Sequence, residues 1–133
     1  MTIPTMSVFT EASTIYSYSR ALAFQEEELF DVSAMAREAG ISFPVAITAA
    51  LHADIADIPE DQPCQSYDGR LWDVLFMFRA AIKGRIPSQG DDQCRIYGLI
   101  MHVGDQEEYQ VKAICGPGDD AEPVITLMKP DED

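Results

Sequence analysis

The chain has 133 residues, enough for one domain whose core needs no disulfide or metal to hold it. Its composition is ordinary for a globular protein, 47% hydrophobic and 24% charged, but 23 acids face nine bases and the net charge is −14. Such a surface repels phosphate backbones and anionic membranes and attracts basic partners, which argues against direct nucleic-acid or membrane binding.

Residues 1–14, with Pro4 and four threonines, read as a flexible N-terminal arm, and residues 15–133 as a single domain. "MTIPTMSVFTEAS" has no basic stretch before an apolar one, so no secretory signal is expected. The apolar run "VLFMF" is far short of a membrane span. Cys64, Cys94 and Cys115 are odd in number and form no CxxC, which points to free thiols in a cytoplasmic protein. Cys94 and Cys115 fall in predicted strands and are expected to serve as small core residues.

"SYSRALAFQ" (17–25) predicts a short helix capped by Ser17 or Ser19. An extended piece follows at Leu29–Val32. "SAMAREAG" predicts a compact helix, with Ser33 near its start and Gly40 at a left-handed stop. Pro44 suits the first turn of a helix over 44–56, where Ile47, Leu51 and Ile55 recur at four-residue spacing. Residues 57–67 are a loop. The strongest helical signal is 68–84, with a stripe of Leu71, Val74, Leu75, Phe78 and Ile82 and a stop at Gly84. Trp72 and Phe76 lie off that stripe beside Arg79 and Lys83. Burial on two sides is the favoured reading, which puts Trp72 in one core with Leu75, Phe78, Leu99 and Val111. The alternative is a second face that binds a partner.

After the "IPSQGDDQ" loop the period changes to two, with strands over 94–103, 109–115 and 123–128. The expected fold is α+β: a three-stranded antiparallel meander (94–128) packed against several helices.

The meander sorts the acids. Asp119, Asp120 and Glu122 in one turn fall at the same end as Asp91 and Asp92. Asp105, Glu107 and Glu108 fall at the other end, with the tail Asp131, Glu132 and Asp133. One strand length, roughly 20–25 Å, separates the poles. Residues 104–133 hold nine acids and two bases, half of the net charge. Asp also suits turns for its own backbone bonding, so plain turn chemistry competes with a partner-binding role for the eight carboxylates outside the tail.

No nucleophile elbow, Walker loop, dinucleotide fingerprint or HExxH occurs. His52 is expected to be exposed, and His102 falls on the sheet face opposite Cys115, so they form no pair. The acidic turns match no EF-hand, and a divalent-metal role is outweighed by turn chemistry. "YSYSR" could clamp a nucleotide through Tyr and Arg20, but a capped helix start explains it more simply. Asp54 falls on the core side of its helix and needs a partner there, Arg70 or Arg79. No catalytic residue, metal or cofactor is expected.

The blocks "IYSYSRALA", "LFDVSAMAREAGISFPVAIT", "DGRLWDVLFMF" and "CGPGDDAEPVITLMKP", in that order, span nearly all of residues 15–130. Together they resemble a bacterial family of small domains of unknown function found among accessory genes of plasmids, phages and integrated elements. The resemblance implies a shared fold and a mobile-element setting. It implies no reaction and carries over no site residue. "FQEEELFDV" is more acidic than the family pattern.

Charge and resemblance together lead to an acidic interaction protein, not an enzyme. Its expected partner is a basic, nucleic-acid-binding surface of a host defence complex, met as antirestriction, anti-CRISPR or DNA-mimic inhibitors meet theirs. The rival is a small-ligand-binding protein or enzyme with a pocket near Trp72. A third reading is a homodimeric accessory protein.

Overall fold

A computed structural model describes residues 20–132. The N-terminal arm, Ser17, Tyr18, Ser19 and Asp133 lie outside the described residues. Residues 20–25 are helical. The chain then runs β1 (Leu29–Asp31), α1 (Ser33–Glu38), β2 (Val45–Thr48), α2 (Ala49–Ala56), α3 (Tyr67–Ile82), β3 (Ser88–Gly90), β4 (Cys94–Val103), β5 (Gln106–Pro117) and β6 (Pro123–Met128). The architecture is α+β.

The sheet has six strands in the order β1-β2-β6-β5-β4-β3. The meander β4-β5-β6 is its centre and is antiparallel, as the alternation predicts. The rest corrects the three-stranded expectation. β2 joins β6 in parallel and β1 closes that edge, so the sheet is mixed. β3 adds the opposite edge inside what reads as a loop.

The expected helix over 44–56 is a strand followed by a helix. "VAIT" is β-branched at three of four positions and pairs with β6, and the Ile125 N–H donates to the Pro44 carbonyl at 2.9 Å. Thr48 then caps α2, its Oγ1 accepting from the Leu51 N–H at 3.3 Å. Strand and helix meet without a loop, so Ile47, Leu51 and Ile55 enter the same core from different elements. Their four-residue spacing therefore imitates one helix.

α1 and α3 follow the sequence closely. Gly40 takes φ +95° beyond α1 and Gly84 takes φ +73° beyond α3. Ser66 caps α3 through the Gly69 N–H at 3.0 Å. Gly90 closes the β3–β4 turn at φ +115°, and a Cβ there would lie 2.0 Å from the Cys94 carbonyl oxygen, so no side chain fits.

α1, α2 and α3 cover one sheet face. Leu75 and Phe78 of α3 share a buried core with Tyr97, Leu99, Val111 and Leu127 from that face. Trp72 does not join them: it is 36% exposed, and Phe76 beside it is 44% exposed. Ile82, at the end of the expected stripe, is 55% exposed because the helix ends there. On the opposite sheet face Ala46, Val124 and Met128 are buried apart from the main core, while Ile100 is open.

Candidate partner-binding surface

The turn from Gly118 to Glu122 is built by its own acids. The Gly118 N–H donates to the Glu122 carbonyl at 2.7 Å, and the Asp120 N–H donates to Glu122 Oε1 at 2.9 Å. Ala121 sits at φ +65°. The Glu122 carboxylate folds under Gly118, where a Cβ would stand 2.8 Å away. Glu122, though exposed, thus holds the loop, while Asp119 and Asp120 are exposed with no ion-pair partner among the described residues.

Asp91 has a similar structural duty. Its Oδ1 accepts from the Gln93 and Cys94 N–H groups at 2.9 and 3.0 Å, and these bonds hold its carboxyl below the usual range. Asp92 is fully exposed and only 3.8 Å from the Arg95 guanidinium. The Cys94–Ile114 and Pro117–Pro123 pairings put both turns at the same end of the sheet. They border separate hollows: Asp91 and Asp92 flank an apolar pocket with Phe43 and Ile82, whereas Asp119 and Glu122 line one with Asp31 and Arg20. Asp31 belongs to this acidic end because β1 pairs with the start of β2. That placement follows from a strand pairing the sequence does not announce.

Asp105, Glu107 and Glu108 are exposed at the β4–β5 hairpin, the opposite end. β5 is 12 residues long, so the poles stand roughly 35–40 Å apart, not 20–25 Å. The tail is less free than its charge suggests. Glu132 Oε2 accepts from Thr48 Oγ1 and from the Lys129 N–H, both at 2.8 Å, while its backbone carbonyl meets Lys112 Nζ.

Other singled-out residues are structural. Asp54 pairs with neither Arg70 nor Arg79. It accepts from the Tyr109 hydroxyl at 2.5 Å and faces Lys129 Nζ at 3.3 Å. Arg70 is 2% exposed and donates to the Asp57 and His102 carbonyls at 3.1 and 2.7 Å. Residue types gave no sign of this, although Arg70 falls on the buried side of its helix. His52 is half-buried, stacked on Phe30 at 4.2 Å and bonded to the Tyr67 hydroxyl at 2.6 Å, which corrects its expected exposure. Cys94 is exposed at a strand start and Cys115 half-buried, so neither is a core thiol. Cys115 and His102 also lie at opposite ends of the sheet. Arg20 donates to Thr126 Oγ1 at 2.7 Å and its guanidinium lies over Phe24; the tyrosines of "YSYSR" lie outside the described residues. A cleft of about 470 Å³ opens at the β3–β4 edge, beside Met77, Ile96 and Ile100, and does not include Trp72.

Three tyrosines give the fold a pH dependence. Burial raises the Tyr67 hydroxyl above its ordinary value and that of Tyr97 well above it, and burial with the Asp54 bond raises that of Tyr109. The unfolded chain releases these protons at about pH 10 while the fold retains them. Their contribution is therefore complete below pH 10 and is lost as pH rises beyond it. Urea midpoints should fall between pH 9 and about pH 11, with a shallower fall in Tyr109→Phe. Identical slopes in the two proteins would exclude Tyr109 as a source.

Among the described residues no helix is long and apolar enough to cross a membrane, and no three of His, Cys, Asp and Glu gather to hold a metal ion. No curated protein and no solved structure matches the chain. A family of unknown function, DUF6573, matches residues 6–133, and with nearly the whole chain inside that match, the protein belongs to this family.

Proposed function

We propose that this protein is a non-enzymatic acidic binding protein that docks on a basic, nucleic-acid-binding surface of a host defence complex. The observation that carries the reading is the set of exposed carboxylates without ion-pair partners among the described residues at both ends of the sheet: Asp119 and Asp120 at one, Asp105, Glu107 and Glu108 at the other. Asp91 and Glu122 extend the first pole while also shaping its turns, and Asp92 extends it beside Arg95. Fixed carboxylates can occupy a site built for phosphates, and the net charge of −14 speeds encounter with a basic surface. The spacing of the poles, roughly 35–40 Å, is close to one turn of duplex. The mobile-element setting rests on the resemblance of the four sequence blocks, and restriction and CRISPR complexes are the targets it suggests.

The test is association with purified basic nucleases and CRISPR effector complexes at low salt. Asp119→Asn with Asp120→Asn should leave the melting temperature unchanged or slightly higher, because neither side chain holds the turn. The same change should slow association about tenfold and flatten its salt dependence. Capture of the partner at the wild-type rate would reduce the acidic turn to a solubility device.

A further inference from the structure

The outward face of α3 carries a pattern that the acidic poles do not use. Asp68, Trp72, Phe76, Arg79 and Lys83 fall within roughly 80° of arc at 100° per residue. The Trp72 and Phe76 rings stack on each other at 6.3 Å and 20°, and both are open to solvent. Asp68 and Lys83 are exposed, Arg79 is half-buried with its guanidinium over Gly40, and none of the three has an ion-pair partner among the described residues. Three of the nine bases, Arg79, Lys83 and Arg85, cluster at this end of an otherwise acidic chain.

The order along the helix is self-complementary. Asp68 and Lys83 are equally far from the point midway between residues 75 and 76, and so are Trp72 and Arg79. Phe76 sits next to that point. A second helix laid antiparallel about a two-fold axis there meets the first with matching chemistry. Asp68 faces Lys83, Trp72 faces Arg79, and the two Phe76 rings meet at the axis.

We propose that this face binds a second copy of the chain, with α3 against α3 in that antiparallel register. The occupant is another copy because one stripe supplies both halves of each complementary pair, as an isologous interface requires. The proposal does not rest on the docking function, and it leaves the ends of the sheet free in the dimer.

Two chains of −14 repel at long range, so the test uses the full chain at about 0.15 M salt, where charges are screened beyond about 8 Å. In sedimentation equilibrium the mass should rise with concentration from 14.7 kDa toward twice that value. Emission from Trp72, the single tryptophan, should shift to the blue in step. Lys83→Glu should weaken association about tenfold or more, since symmetry places a like-charge pair at both ends. Adding Asp68→Lys restores opposite charges and should bring affinity back to within about threefold of wild type. That rescue separates the register from any general effect on folding. A chain that stays monomeric up to about 0.5 mM would overturn the proposal and leave the face to a different partner. So would a dimer without a Trp72 shift, a Lys83→Glu variant of unchanged affinity, or a failed rescue.

Discussion

Arg70→Ala should lower the unfolding free energy by about 2–5 kcal/mol, read as a urea midpoint at pH 7. Arg70 is buried at the start of α3 and bonds two carbonyls, Asp57 in the preceding loop and His102 near the β4 irregularity. Removing it takes the donor from both acceptors in a part-buried site, where each loss costs about 1–3 kcal/mol. The guanidinium is itself poorly accommodated. Burial lowers its pKa against the pull of Asp57, Tyr109 and Asp54, and its Nε has no hydrogen-bond partner among the described residues. Arg70→Lys should rescue little, because a single ammonium does not reproduce the planar fork that spans two carbonyls. A loss below about 1 kcal/mol for Arg70→Ala would mean that water replaces the guanidinium without strain.

Phe78→Ala should cost about 3–5 kcal/mol. Phe78 is 4% exposed on the covered face of α3, and its ring lies 5.9 Å from that of Tyr97. The Tyr97 hydroxyl is fixed in turn by donating to the Val74 carbonyl at 2.8 Å, so the sheet and α3 cannot slide together to fill the void. Trp72→Ala is the internal control. Its ring is open to solvent, and in the monomer its loss should cost well under half as much, about 1 kcal/mol or less. Equal losses at the two positions would place Trp72 in the core and contradict the exposed face of α3.

The sequence by itself determined the local elements whose signal is complete within a short window. α3 appears where its stripe and the stop at Gly84 agree, and the meander appears where alternation runs for a full strand. The acidic turns are equally local, since Asp and Gly serve the backbone within five residues. β1 falls inside the extended piece expected at Leu29–Val32, and β3 pairs across a tight turn with β4, inside what reads as a loop. β2 depended on tertiary structure: it is four residues long and gains its hydrogen bonds only from strands elsewhere in the chain. β2 shows the reason most clearly: Ile47 has the spacing of a helix face with Leu51 and Ile55, and only pairing with β6, eighty residues on, makes Val45–Thr48 a strand. Tertiary structure also chose the partner of Asp54, Tyr109 over either arginine, because β5 and the chain after β6 bring a hydroxyl and an amine to that side of α2. It left Trp72 exposed for the same kind of reason. α3 covers one layer only, since the single sheet has no second layer beyond the helices to bury their outer face.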